Sequence, residues 1–314
     1  MPKRETVSSA ERVPTVLCVG VAVLDEIFRV ETMPVPHVKT KAHEFMAITG
    51  GNAANAAITM VRLGGRVIFA GPFGGPAGTD MIGDRILAGL AAEGIDCSHC
   101  RRIPGLMSSI SAIAIDARGE RAITNYRDDR LADARPENAE ALVAAADVVL
   151  ADNRFPEFVL EVCAVARARG LRIVLDADQP TRHTHELLTL CSHVVFSHEG
   201  LVATAQKDDH AEGLLALRAH TPSFLAVTNG ANDMHWLEND EVRRMASFRV
   251  DAVDTLGAGD VFHGAFALAL AEGRDEAGAM HFAAAAAALK CTRFGGITGA
   301  PTRAEVDALL AQSV

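Results

Sequence analysis

The stretch Asp254-Thr255-Leu256-Gly257-Ala258-Gly259-Asp260 decides the fold of this chain. It follows an alternating apolar segment, 248–253, and precedes an apolar segment that is predicted to be a helix from Val261. A glycine-rich loop therefore opens directly onto the N-terminus of a helix. Such a loop is a ready-made site for an anionic ligand.

The small residues of this loop predict how the anion is held. Without bulky side chains, the backbone N–H groups of Gly257, Ala258 and Gly259 can approach an anion closely, and the helix dipole adds positive potential. A carboxylate beside that site, here Asp260, is typical of the general base in a phosphoryl transfer. For an isolated motif of this kind, an N-cap role for Asp260 explains the sequence equally well.

A second glycine loop, Gly50-Gly51-Asn52-Ala53-Ala54-Asn55, also opens a predicted helix. Asn52 and Asn55 are three residues apart and share one helical face. Their amides donate and accept hydrogen bonds, which suits a polyhydroxylated ligand. Taken alone, however, the pair is explained by one Asn as a helix cap and the other as a solvated helix residue. Neither loop has the Walker or the dinucleotide-binding pattern, which argues against a P-loop NTPase and a Rossmann dehydrogenase.

Strands and helices alternate through the second half of the chain, which predicts a parallel sheet with helices on both faces. Two segments, at about 25–48 and 109–127, fall outside this pattern and are predicted to form a discontinuous β lid. We expect residues 1–14 to be a flexible N-terminus and 15–314 to form one domain. The pattern also predicts a helix over 184–190 and a hairpin strand over 241–248.

Composition narrows the class of protein further. The 314 residues are 49% hydrophobic and 22% charged, as in a folded globular chain. With 30 basic and 40 acidic residues the net charge is −10, opposite in sign to that of a non-specific nucleic-acid binder. The sequence has no apolar run long enough to cross a membrane and no signal-like N-terminus, so we expect a cytoplasmic protein without membrane or nucleic-acid partners.

Together the two glycine loops resemble the signature regions of the ribokinase-like (PfkB) carbohydrate kinase family. The resemblance extends from about Val16 to Pro301, and DTLGAGD is its most specific motif. It implies an α/β fold, a ribokinase-like three-layer sandwich with a mostly parallel central sheet and a small β lid. It also implies an ATP-dependent sugar kinase that uses Mg²⁺.

The resemblance assigns roles to individual positions. Asp260 would deprotonate the sugar hydroxyl, and Gly257, Ala258 and Gly259 would hold the transferred phosphoryl group. Sugar hydroxyls would be bound by Asp25, Gly51, Asn52 and Asn55. Thr228 and Gly230 would lie along ATP, and Asp254 would help to hold a monovalent cation, for which potassium is the candidate. Where the family often has Asn-x-x-Glu linked to magnesium, this chain reads Ser197-His198-Glu199-Gly200, so the link of Glu199 to Mg²⁺ rests on an altered motif.

Two further residues bear on the substrate. Arg154 follows a predicted strand at the sheet edge where α/β proteins bind ligands, and Asn125 ends the lid-like hairpin. Stretches such as VLADNRFPE resemble the sulfofructose kinase branch, which implies that both residues hold a sulfonate while O1 of 6-deoxy-6-sulfofructose is phosphorylated. GGNAANAA departs from that branch, and a surface ion pair of Arg154 with a neighbour such as Asp152 is the simpler alternative.

Other acceptors and functions stay open at this point. Fructokinase or ketohexokinase, ribokinase and 2-keto-3-deoxygluconate kinase activities all fit the shared motifs. An adenosine kinase fits less well, because one Trp and one Tyr offer few rings to stack a base. A non-catalytic sugar-binding regulator would have no use for Asp260. Exposed lid strands predict a homodimer.

Overall fold

The computed structural model describes residues 12–182 and 185–312. Residues 1–11 of the expected flexible N-terminus therefore lie outside the described residues. The strands are β1 Thr15–Val19, β2 Val23–Val30, β3 Ala42–Gly50, β4 Arg66–Ala70, β5 Pro72–Gly74, β6 Arg101–Ile103, β7 Ser109–Ile115, β8 Arg121–Tyr126, β9 Val148–Asp152, β10 Arg172–Ala177, β11 His193–Phe196, β12 Phe224–Val227, β13 Met234–Glu238 and β14 Glu241–Met245. The helices are α1 Asn52–Arg62, α2 Met81–Ala92, α3 Ala139–Val143, α4 Pro156–Ala168, α5 Leu187–Leu190, α6 His198–Ala205, α7 His210–Arg218, α8 Ala258–Ala271, α9 Glu276–Cys291 and α10 Arg303–Gln312.

The central sheet has eight strands in the order β14-β13-β12-β11-β10-β9-β1-β4. The six strands from β12 to β4 run parallel, and β13 and β14 continue the sheet antiparallel at one edge. The parallel strands end at a common edge, and loops at that edge are where open α/β sheets bind ligands.

Both faces of this sheet are covered, as the buried side chains of β1 illustrate. Val16 and Cys18 point into an apolar cluster with α1, α2, α8 and α9, whereas Leu17 and Val19 point into a second cluster with α3, α4 and α7. Alternate residues of one strand thus serve two cores, which explains the continuous apolar strand. The predicted ribokinase-like three-layer α/β sandwich is confirmed.

A separate four-stranded sheet in the order β3-β2-β7-β8 forms the lid. Its strands come from the two segments that fell outside the strand–helix alternation. Ile27, Ile113 and Ile115 of this sheet pack with Leu256 of the glycine-rich loop and with Phe294. The lid therefore rests on the loop that carries Asp260.

Two predicted elements are shorter than the sequence pattern suggested. Of the helix expected over 184–190, residue 184 lies outside the described residues, and the helix begins at Leu187, where the His185 imidazole accepts the Leu187 N–H (3.3 Å). The second hairpin strand ends at Met245. Beyond it, Phe248 stacks on His281 of α9 with the ring centroids 5.2 Å apart, so side-chain packing replaces strand pairing there.

Within the described part of the chain, no helix is both long and apolar enough to cross a membrane.

Candidate functional site

The two glycine loops meet over the carboxyl ends of the parallel strands. Asn55 Nδ2 in the first turn of α1 donates to Asp260 Oδ2 in the first turn of α8 (2.7 Å). Gly257 adopts a left-handed φ of 78° immediately before α8, a conformation that glycine adopts without strain. The structure therefore places Asn55, Gly257 and Asp260 together, although 205 residues separate Asn55 from Asp260.

Two of the predicted anion-binding amides, those of Ala258 and Gly259, differ in how readily they can reach a ligand. The Ala258 N–H donates to the Thr255 carbonyl (3.2 Å), so it must exchange this partner to reach a phosphate. Gly259 is exposed in the first turn of α8, where backbone N–H groups lack intrahelical acceptors. The helix start therefore offers donors to an anion beside Asp260.

Asp260 has the electrostatic environment of a general base. Burial raises the pKa of its carboxyl group, and the nearby charge of Asp176 raises it further, to about 7, although the Asn55 hydrogen bond opposes this. A base with a pKa near the working pH is the most efficient in proton transfer. His263, one turn later on α8, lies with Nε2 3.5 Å from Asp176 Oδ1. Burial lowers the pKa of His263, which favours the neutral imidazole.

On the side expected to bind the sugar, Asn52 Nδ2 donates to Asp176 Oδ2 (3.1 Å). Asn55 Oδ1 and Asp176 Oδ1 are buried and have no hydrogen-bond partner among the described residues. A buried polar atom without a partner is costly, and a ligand hydroxyl would satisfy it. The carboxyl group of Asp176 has a raised pKa because of burial and the charge of Asp178.

The lid contributes a row of three polar side chains across its strands. Asp25 on β2 pairs in register with Ser111 on β7, which pairs with Asn125 on β8. Asn125 Nδ2 donates to Ser111 Oγ (3.1 Å), and burial raises the pKa of Asp25 to about 6. A β-carbon at Gly50 would collide with the Asp25 carboxylate, so Asp25 lies directly on the first glycine loop.

Gly51 is required by the geometry of that loop. Its φ is 95°, and a β-carbon there would lie 2.8 Å from the Val21 carbonyl oxygen. The close approach brings the start of α1, and with it Asn52, against the chain that follows β1.

Arg154 lies at the end of β9 among carboxylates. Its backbone N–H donates to Asp152 Oδ1 (2.9 Å), and its guanidinium forms an ion pair with Asp178 beyond β10. Its Nε is buried without a hydrogen-bond partner among the residues that the structure describes. The simpler alternative, an ion pair with a neighbour such as Asp152, is therefore present in the structure with Asp178 as the partner. Sequence reasoning missed Asp176 and Asp178. The signal that could have found them is the two acidic residues at the end of the apolar run that forms β10.

A cavity of about 850 Å³ opens beside the start of α8. Thr228, Gly230, Glu199 and Gly259 lie on its wall, and Phe248, Val250, Phe262, Ala284 and Ala287 supply an apolar side. Its size and mixed walls fit a nucleotide. The lid reaches this cavity through Arg121 of β8, whose Nη1 donates to Thr255 Oγ1 (3.0 Å).

The altered family motif lies at the same cavity. Ser197 caps α6, because its Oγ accepts the Gly200 N–H (2.9 Å). Glu199 is exposed in the first turn of that helix. The Glu199 carboxylate is therefore accessible from the cavity, whereas the Ser197 hydroxyl is bonded to the backbone of α6.

Asp254 is bound by backbone amides and by a lysine. Its carboxylate accepts N–H groups from Leu256 (2.8 Å), Gly295 (3.0 Å) and Gly296 (2.8 Å). Lys290 Nζ donates to the Asp254 carbonyl (2.7 Å) and lies 3.3 Å from Asp254 Oδ2. Burial opposes the ionised form of Asp254, but the Gly296 N–H and Lys290 outweigh it and lower the pKa of Asp254. Sequence reasoning missed Lys290, whose signal is a single lysine near the end of the Ala-rich α9.

Comparison with known proteins agrees with this geometry. Residues 13–303 match the sequence profile of the pfkB family carbohydrate kinases. Ribokinase from Bacillus subtilis is 30% identical over 269 residues, which cover 85% of this chain and 89% of that protein. A solved structure from Agrobacterium tumefaciens, provisionally described as a ribokinase, is 41% identical with a TM-score of 0.91 over 96% of this chain and 99% of that one. Fructokinase from Xylella fastidiosa, solved with bound ATP, is 26% identical with a TM-score of 0.75 over 95% of this chain and 98% of that one.

Proposed function

This chain belongs to the pfkB family of carbohydrate kinases and is an ATP-dependent sugar kinase, and we propose that its acceptor is a ketose with an anionic substituent. The best candidate is 6-deoxy-6-sulfofructose, phosphorylated at O1 in the cytoplasm. The observation that carries this proposal is Arg154, a guanidinium with a buried, unpartnered Nε beside the carboxylates at the sheet edge. A guanidinium matches the geometry of a sulfonate or phosphate.

The proposed chemistry uses Asp260 as the base. Its carboxylate accepts the proton of the acceptor hydroxyl, and the oxygen then forms a bond to the γ-phosphorus of ATP as the bond to ADP breaks. Gly257 and Gly259 donate N–H groups to the transferred phosphoryl group, and Asp25, Asn52 and Asn55 orient the sugar. Mg²⁺ neutralises charge on the phosphates when bound, and Glu199 is the acidic residue of the cavity wall that we link to it.

The anionic group would lie between the lid and the end of β9. The guanidinium of Arg127, two residues beyond Asn125, lies over the ring of Phe155, 5.5 Å from its centroid. Phe155 directly follows Arg154, so the lid strand that carries Asn125 ends at the loop that carries Arg154. This proximity supports a site formed jointly by Asn125 and Arg154.

A neutral ketose or ribose is the second candidate. Arg154 already has a carboxylate partner in Asp178, and a neutral sugar would leave that ion pair intact. Several of the similar curated proteins are named ribokinase or fructokinase. Fructose, ribose and 2-keto-3-deoxygluconate are therefore the competitors in a test.

ADP release with Mg-ATP, measured across these sugars, sulfofructose, phosphorylated ketoses and adenosine, tests the proposal. We expect the highest kcat/KM for sulfofructose. Arg154→Ala should lower that value far more than the value for fructose, whereas the control Arg135→Ala, at an exposed ion pair with Glu157, should change neither. Equal losses on both sugars in Arg154→Ala would refute the anion site and leave the neutral-sugar kinase.

We also propose a homodimer through the lid. Phe45 of β3 is 57% exposed and packs on Phe28 of β2 with the ring centroids 5.0 Å apart. A partly exposed apolar pair on a small sheet suits a self-complementary interface. Light scattering of the wild type should give a dimer and that of Phe45→Glu a monomer. A wild-type monomer would exclude this interface.

A further inference from the structure

Lys290 contacts the carboxylate to which the family resemblance assigns a free ion. The resemblance assigns a monovalent cation to the Asp254 carboxylate, with backbone carbonyls near Leu256 and from the loop 293–299. Lys290 Nζ instead donates to the Asp254 carbonyl oxygen (2.7 Å) and lies 3.3 Å from Asp254 Oδ2. An ammonium carries the same single positive charge as a potassium ion. The residues at Asp254 therefore do not fit a free cation bound to these two oxygens.

We propose that Lys290 is a tethered cation that replaces the monovalent ion and makes the enzyme independent of potassium. Lysine is almost never fully buried unless it is paired, and the side chain of Lys290 has no exposed surface. Its partner Asp254 belongs to the motif that ends at Asp260. The inference is tested below by reaction rates and by melting temperatures. It rests on the proposed kinase function only where rates are measured.

The contacts of Asp254 show how this charge would support the reaction. The Asp254 carboxylate accepts N–H groups from Leu256 on one side and from Gly295 and Gly296 on the other. It thus ties the loop before α8 to the loop after α9, and Lys290 compensates its buried charge. Lys290 is therefore a positioning residue that keeps the amides before α8 in place.

Other charged groups near Lys290 do not replace it. Arg121 of the lid repels the ammonium of Lys290 and donates to Thr255, and the neighbouring Cys291 thiol has a pKa raised by burial. Asp254 is the carboxylate that the structure pairs with Lys290. The site therefore contains one carboxylate and one ammonium group in direct contact.

The first experiment measures initial rates in potassium chloride and in tetramethylammonium chloride at equal ionic strength. We expect the wild-type rates to be the same in both salts. Lys290→Ala removes the charge and leaves space, so its kcat should fall by about tenfold or more in tetramethylammonium, while potassium or methylammonium restores part of it. The exposed Lys207→Ala is the matched control and should behave as the wild type. A wild-type rate that requires potassium would overturn the proposal.

The second experiment measures melting temperature in the same salts and requires no turnover. Potassium should raise the melting temperature of Lys290→Ala over that in tetramethylammonium and leave the wild type unchanged. Specific stabilisation of the wild type by potassium would overturn the proposal even if no sugar were phosphorylated. An inactive protein with the expected melting pattern would instead refute the kinase function alone.

Discussion

Two ion pairs of this molecule, Lys290 with Asp254 and Arg154 with Asp178, differ in their access to water. Lys290 and Asp254 are 0% and 3% exposed, whereas Arg154 and Asp178 are 27% and 22% exposed. A sealed pair cannot exchange partners during a reaction, because each charge would be left buried alone. A partly exposed pair can open, so Arg154 can exchange a carboxylate for a ligand. We therefore assign the first pair to the framework and the second to substrate recognition.

The largest effect should come from breaking the sealed pair. Asp254→Asn leaves Lys290 buried without a counter-charge, so we expect a loss of about 3–5 kcal/mol in the free energy of unfolding. Asp178→Asn, its counterpart in the open pair, should cost about 1 kcal/mol or less. Urea titrations of both variants measure the two losses. Equal losses would show that the two pairs do not differ in the way described.

A smaller effect should appear when Arg154 is released from Asp178. In Asp178→Asn the guanidinium has lost a competing carboxylate, so the KM for sulfofructose should fall by about tenfold, the value of one charge-assisted hydrogen bond. The KM for fructose should stay as it is in the wild type. Steady-state kinetics on both sugars provide the comparison. A lower KM for fructose as well would show that the effect of Asp178 does not depend on an anionic substituent.

The smallest effect is a shift in the pH dependence that Asp260 causes. Because the base must be ionised and its pKa is about 7, kcat/KM should rise with pH and level off above an inflection near pH 7. Asn55 donates to the charged carboxylate, so Asn55→Ala should move the inflection to higher pH. The pH dependence of kcat/KM for both proteins measures the shift. An inflection at the same pH in Asn55→Ala would contradict this role of Asn55.

The two ion pairs also show which features of this site could not be predicted from the sequence. Local patterns were sufficient for the strand–helix alternation, both glycine loops and Asp260, because backbone geometry and chain order determine them. The partners of these residues depend on tertiary contacts. Asn52 meets Asp176 across 124 residues and Lys290 meets Asp254 across 36, and no local pattern relates the members of either pair. A lysine in an Ala-rich helix is ordinarily solvated, and only the packing of α9 places Lys290 in the core.

The central claim, that Asp260 is the base of a sugar kinase, is tested most directly by Asp260→Asn. Asparagine keeps the size of the side chain and its contact with Asn55 but cannot accept the hydroxyl proton. We predict that phosphoryl transfer from Mg-ATP to the best acceptor falls by about 10²–10⁴-fold while the affinities for ATP and sugar, measured by calorimetry, stay near those of the wild type. Unchanged transfer in Asp260→Asn would contradict the account.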